Sequence, residues 1–263
     1  MDNGTAKPSS EELASVPHHL FNVIDPDQEF SLPEYQKAAS EIINWLHKEH
    51  IVPFLVGGSG QYIKGLLEGW QVPKVKADPE LRKQLEEKAD KQGVDSLFAE
   101  LERVDPEASL TIDKHNLRRI IRALEVCRQT GAKFSVQQTR SAPDYKTLYV
   151  GLSAERKELY RRVDARVDKM LETGLVEETR MLIQKGYGFD LPSMSSIGYK
   201  QIGMYLNGEL SLEQAAVQIK TGTHRYIRHQ YAWFHLDDLL IKWFDTSVDP
   251  SQKIINTIRE FLR

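Results

Sequence analysis

Three stretches of this chain concentrate residue types that bind phosphate or stack on bases. The first has Lys114 and His115, then Arg118, Arg119, Arg122 and Arg128. On a helix Arg118 and Arg122 share a face, and Ile120, Ile121 and Leu124 supply the apolar side. A guanidinium grips phosphate oxygens bidentately, so this face suits a nucleic-acid backbone; it equally suits a solvated face paired with acids. The second stretch has Arg156, Arg161, Arg162, Arg166 and Lys169. Arg162 and Arg166 again fall on one face, either to clamp a polyphosphate or to pair with Asp164, Asp168 or Glu172. The third, Thr223 to His235, interleaves Arg225, Arg228, His224, His229 and Gln230 with Tyr226, Tyr231, Trp233 and Phe234. Cations for phosphates and rings for exposed bases fit RNA. The same pattern fits a core helix with Tyr226, Trp233 and Phe234 turned inward.

A fourth feature is the loop Gly57-Gly58-Ser59-Gly60. Its backbone amides could approach a ligand closely, or the loop is a plain tight turn. It lacks the Lys-Ser/Thr ending of a phosphate-binding P-loop. The pair His18-His19 has no spacing that aims both rings at one metal. Cys127 lies among the arginines and reads as a packed residue.

These residues need elements to hold them. Ser31 and Glu34 form a capping box for a helix to about His50. Residues 51 to 56 form a continuous apolar run, which predicts a strand buried on both faces of a parallel sheet. A helix from Gln61 to Leu67 follows the glycine loop, so 31–67 reads as an α/β unit. Residues 78 to 140 carry helical patterns only, the last of them running from Asn116 to Thr130 and stopping at Gly131. Residues 147–152 read as a strand, then helices follow near 154–173, 175–185, 199–206 and 211–234. A strand at 239–244 and a helix at 250–262 close the pattern. The residues before 32 read as loops. The expected organisation is an α/β core of residues 1–72 and 147–263 with a helical insertion at 73–146.

The chain has 263 residues, a net charge of −3, 40% hydrophobic and 28% charged residues, and one cysteine. That is a globular composition, not a disordered one. A single cysteine excludes an intramolecular disulfide framework and a Cys-based zinc finger. No run approaches the roughly 18 apolar residues of a membrane span. The opening MDNGTAKPSSEEL is polar and does not read as a signal peptide, so the expectation is a cytoplasmic protein without a membrane partner.

Together these segments resemble the tRNA dimethylallyltransferases (tRNA isopentenyltransferases). The resemblance runs through Asp2-Asn3-Gly4-Thr5-Ala6-Lys7-Pro8, Pro17-His18-His19-Leu20, Asp25-Pro26 and Leu55-Val56-Gly57-Gly58-Ser59-Gly60-Gln61-Tyr62. It continues in Arg119 through Glu125, Ile197-Gly198-Tyr199-Lys200-Gln201 and Arg228-His229-Gln230, almost the whole chain. It implies an α/β, P-loop NTPase-like core with a parallel sheet and an inserted all-helical domain. It implies transfer of a dimethylallyl group from dimethylallyl diphosphate to the exocyclic amine of the adenosine just 3′ of the anticodon. Mg²⁺ would sit on the diphosphate, with no metal ligand from this chain, and the protein would act as a monomer.

By the same resemblance, Arg166 meets the pyrophosphate and shares the catalytic role with Ser59. Thr5, Lys7, Gly57, Gly58 and Arg162 bind the prenyl substrate. Arg82, Arg118, Arg119 and Arg122 face the tRNA anticodon stem-loop, as do Ser195, Ser196, Ile197, Gly198, Tyr199 and Lys200, and Arg225, Arg228 and Gln230; Ser59 also touches the tRNA. The family's first strand, its P-loop and the Asp of a following Asp-Ser-x-x-x-Tyr motif have no counterpart in the sequence. The expectation is therefore a shortened chain, inactive as given and with exposed sheet edges. Ser59 replaces a frequent Thr and keeps the hydroxyl. His224, His229 and His235 stand where the family often has Arg, and neutral histidines weaken phosphate binding at pH 7. The competing readings are an RNA-binding remnant without transfer chemistry, a P-loop small-molecule kinase relative, and a helical scaffold.

Overall fold

A computed structural model describes residues 1–73, 75–137 and 139–263. The elements in chain order are α1 (Ser10–Ser15), α2 (Leu32–Lys48), α3 (Gly60–Leu67), β1 (Trp70–Gln71), α4 (Pro79–Gln92), α5 (Val94–Val104), α6 (Pro106–Thr111) and α7 (Leu117–Thr130). There follow α8 (Phe134–Gln137), β2 (Thr139–Arg140), β3 (Tyr149–Ser153), α9 (Arg156–Glu172), α10 (Leu175–Gln184), α11 (Tyr199–Leu206), α12 (Leu212–Trp233), β4 (Ile241–Asp245) and α13 (Ser251–Phe261). β3 and β4 pair in parallel, from Tyr149 opposite Ile241 to Ser153 opposite Asp245. A parallel pair needs a crossover, and α9 to α12 supply it, which makes the fold α/β.

The chain divides into two compact units. One comprises Met1–Ser31, Glu41–Gly60 and Tyr145–Arg263; the other comprises Leu32–Ser40 and Gln61–Asp144. Residues 32–40 and 61–72, expected with the core, therefore group with the helical block. The cause is local packing. Tyr35 stacks on Tyr62 with ring centroids 4.5 Å apart. Gln36 donates its side-chain amide to the carbonyls of Gly65 at 2.7 Å and Trp70 at 3.0 Å.

The helical unit is held by a dry interior of Leu85, Leu97, Leu101, Ile120 and Leu124 from α4, α5 and α7. Its helix ends follow the expected chemistry. Asp78 caps α4 and Asn116 caps α7, each accepting a backbone N–H, and Gly131 ends α7 at φ +70°. Cys127 is buried, in keeping with its reading as a packed residue. The core of the other unit is Val167, Leu175, Met194, Tyr199, Ile202, Ala215 and Ile219, contributed by α9 to α12 and the loop before α11.

Two expectations are corrected. The run 51–56 is not a strand, and Ile51, Val52, Phe54, Leu55 and Val56 are all exposed, Val56 at 88%. Its apolarity suits a strand flanked by other strands, but among the described residues none forms a ladder with it. Residues before 32 are not all loop, because α1 begins with a capping box in which Ser9 and Glu12 satisfy each other's backbone amides. The Ser-x-x-Glu signal was present in the sequence.

Candidate functional site

Lys7 leaves the N-terminal turn on a side chain only 15% exposed. Its ammonium donates to the carboxylate of Asp2 and to the side-chain oxygen of Asn22. That turn, α1 and the C-terminal half of α9 enclose a cavity of about 920 Å³. Arg166, Lys169 and Thr173 line it from α9, facing Lys7, His18 and Asn22. Arg166 and Lys169 are three apart on one exposed helix face; Lys169 acts electrostatically on Glu12 across the cavity, and Arg166 has no ion pair among the described residues. Arg166, without an ion pair, and Lys169 and Lys7, each partly offset by a carboxylate, thus line a single concavity. Its own carboxylates are engaged. Hydrogen bonding to Lys7 holds Asp2 below the usual carboxylate range, against a smaller opposing effect of burial. Glu12 accepts the Ser9 amide at 2.7 Å, and that bond lowers its pKa.

The other residues expected at the substrate do not reach this cavity. Thr5 spends its hydroxyl on the carbonyls of Met1 and Asp2, at 3.1 and 3.0 Å, and so holds the turn. Arg162 bonds Glu158 at 2.7 Å and Thr246 Oγ1 at 3.1 Å. Arg161 and Arg162 together hold the Glu158 carboxyl at about 2. Of the two readings for Arg162, pairing with an acid is what the structure shows, and the acid is Glu158, one turn earlier, not Asp164, Asp168 or Glu172. Asp168 pairs with Lys220 and Asp164 with His224.

Gly57, Gly58 and Ser59 also lie outside the cavity. Gln230 donates to the Gly58 carbonyl at 3.3 Å. A Cβ at Gly58 would come within 1.9 Å of the Gln230 amide, and one at Gly60 within 2.2 Å of the Trp233 ring. The glycines are there because α12 approaches so closely. Gln230 thereby serves this packing, while Ser59 stays exposed.

The arginine helix splits into two groups. Glu125, fully buried, receives Arg82 through two bonds at 2.8 and 2.9 Å, Arg122 at 2.6 Å and the Asp78 amide at 2.8 Å. Burial alone would raise this carboxyl; the three donors outweigh it and bring it to about 2. Arg122 also donates to the Val75 carbonyl at 3.0 Å. Arg128 pairs with Glu100. Arg118 and Arg119 are left exposed, with no acidic partner among the described residues.

On the other unit, Arg225, Arg228 and His229 edge a shallow open depression of about 220 Å³. Arg228 donates to the Tyr160 hydroxyl at 3.0 Å, and Tyr160 stacks on His224 with centroids 3.9 Å apart. Trp233 packs inward on Gly60, whereas Tyr226 is exposed. Ser195, Ser196 and Ile197 in the loop before α11 and Lys200 in its first turn are exposed, but Gly198 and Tyr199 are buried. Tyr199, expected to face RNA, belongs to the core and is solvent-free. Lys169, His18 and Asn22 were not anticipated at the cavity. Only Lys169 carried a signal, its helical spacing from Arg166.

A family model described as IPP transferase matches residues 1–237. The chain is 50% identical over 262 residues to a tRNA dimethylallyltransferase of Dehalococcoides mccartyi, covering 100% of this chain and 81% of that protein. It is 43% identical to one from Thermomicrobium roseum, covering 94% and 75%. The full-length tRNA isopentenylpyrophosphate transferase of Bacillus halodurans superposes with a TM-score of 0.70 at 37% identity, covering 100% of this chain and 84% of that one. A eukaryotic dimethylallyltransferase solved while acting on tRNA gives 0.79 at 24% identity, over 99% and 69%, a likeness of fold alone.

Proposed function

We propose that this chain, which belongs to the IPP transferase family, transfers a dimethylallyl group from its diphosphate to the exocyclic N6 of the adenosine just 3′ of the anticodon in tRNA. The observation that carries the reading is the convergence of Lys7, Arg166 and Lys169 on one cavity. In the reaction the C1–O bond of dimethylallyl diphosphate breaks, the N6–C1 bond forms, pyrophosphate departs with the bonding pair, and N6 loses a proton to water. Negative charge grows on the leaving pyrophosphate, so fixed cations aimed at it stabilise the transition state more than the ground state. Arg166 and Lys169 perform that role, and Lys7 orients the diphosphate from the opposite wall.

Arg118 and Arg119 receive the stem-loop backbone on the helical unit. On the other unit Arg225, Arg228, Ser195, Ser196, Ile197 and Lys200 do so. Arg82 and Arg122 serve indirectly, by bracing α7 through Glu125. Ser59 offers an exposed hydroxyl to the RNA from the glycine loop.

Mg²⁺, when bound with the diphosphate, would shield its negative charge. Among the described residues no group of three or more His, Cys, Asp or Glu side chains is placed to hold a metal. Among the described residues no helix is long and apolar enough to cross a membrane.

One observation favours a second reading, stem-loop binding without transfer. Both carboxylates in the cavity, Asp2 and Glu12, are engaged, which leaves neither free to take the N6 proton. One experiment separates the two: incubate the full chain with dimethylallyl diphosphate, Mg²⁺ and an anticodon stem-loop, and analyse the nucleosides by mass. Prenylated adenosine establishes the first reading. Saturable binding without product establishes the second, and absence of both overturns the RNA assignment.

A further inference from the structure

The backbone of residues 2–4 is captured by a single carboxylate. Glu178, on α10, is 15% exposed. Its Oε1 accepts the amides of Asp2 and, at 3.3 Å, Asn3. Its Oε2 accepts the Gly4 amide at 3.1 Å and the Tyr199 hydroxyl at 2.9 Å. The Tyr199 ring, from the start of α11, presses on Gly4 so closely that a Cβ there would lie 2.6 Å away. Asn3 adds a second attachment, donating to the Met170 carbonyl at 3.0 Å and to Thr173 Oγ1 at 3.2 Å on α9. Burial, reinforced by the Glu178 charge, pushes the Tyr199 ionisation well up, so the hydroxyl remains a donor.

A carboxylate offers acceptor sites on both oxygens, whereas an amide offers one oxygen and an N–H₂ that would clash with converging donors, so four N–H and O–H donors suit a glutamate and not a glutamine. The geometry points to Glu178, seconded by Tyr199, as the positioning residue for the diphosphate cavity. It fixes the turn that carries Lys7 against the α9 wall that carries Arg166 and Lys169. Because Tyr199 also begins the helix that follows Ser195–Ile197, the same carboxylate ties the exposed serine loop to the cavity. The role for the diphosphate rests on the proposed prenyl transfer; the latch itself does not.

The test compares Glu178→Gln and Tyr199→Phe with the unaltered chain. Hydrogen exchange of the amides of residues 2–4 reads the latch directly. The KM and kcat for dimethylallyl diphosphate, and the affinity for inorganic pyrophosphate, read its consequence. In Glu178→Gln those amides are expected to exchange about tenfold faster or more, with α10 and α11 unchanged. KM and the pyrophosphate dissociation constant rise by a similar factor, while kcat falls less. Tyr199→Phe removes one donor of four and gives a smaller change in the same direction, about threefold. Unchanged exchange overturns the latch. Faster exchange with unchanged pyrophosphate affinity overturns its positioning role. If Glu178→Gln does not fold, Tyr199→Phe decides by the same readings. If the unaltered chain transfers no prenyl group, exchange and pyrophosphate titration still decide, so failure of the reaction and failure of the latch remain separate results.

Discussion

Glu125 shows what a buried charge does in the helical unit. Its ordinary pKa is 4.5 and its folded value is about 2. A lowered folded pKa means the native state holds the proton more weakly than the unfolded chain. The stabilisation is therefore complete above about pH 4.5 and is lost as pH falls through 2. The shift corresponds to about 3 kcal/mol. Thermal unfolding between pH 5 and 2 is expected to show this decline, and Glu125→Gln should lower stability by about 3 kcal/mol at pH 7 and flatten the pH dependence. A decline of the same size in the variant would place its origin elsewhere. The arginines around this acid explain a limit of sequence reading. Spacing put Arg118 and Arg122 on one face, yet only the fold brings Glu125 to Arg122 and, across 43 residues, to Arg82. Types and intervals do not reveal which guanidinium a distant carboxylate has already taken.

At the level of elements, α7 presents Arg118 and Arg119 to solvent and keeps Arg122 and Arg128 for internal pairs. Replacing Arg118 and Arg119 with alanine is expected to weaken stem-loop binding and to reduce the slope of log K against log salt by about 1 to 2. The same change at Arg82 should instead lower the unfolding temperature. A salt slope unaltered by the double substitution would remove α7 from the RNA surface. The glycine loop invites a similar test, since Gly60→Ala drives a Cβ into the Trp233 ring. A cost of about 1–3 kcal/mol is expected in chemical denaturation. The elements of α9 to α12 were legible because each is amphipathic and starts or ends at a glycine or a capping residue. The short α6 was not anticipated, though Asp105 followed by Pro106 is a helix start; Asp105 caps it and reaches Ser135 as well. The run 51–56 was misread because apolarity reports what a segment needs, while pairing depends on neighbours that its own sequence does not contain.

For the whole molecule, segment 51–56 and Val150 and Leu152 of β3, all in the same unit, expose apolar side chains. Unpaired backbone and exposed apolar side chains promote association between chains. Light scattering should rise with concentration for the unaltered chain and rise less for Phe54→Ser, whose side chain is 68% exposed and contributes little to the core. Equal scattering would assign association to another surface. The parallel order and the family motifs made the α/β class legible from sequence. The boundary between the units was not, because the Tyr35–Tyr62 stack joins residues on either side of the glycine loop. The central claim is that the cavity walled by Lys7, Arg166 and Lys169 is where the diphosphate leaves. Its most direct measurement is kcat/KM for N6 prenylation of an anticodon stem-loop by the unaltered chain and by Arg166→Ala. The account predicts a loss of about 10²–10³ with stem-loop affinity unchanged; prenylation by Arg166→Ala at the unaltered rate would contradict it.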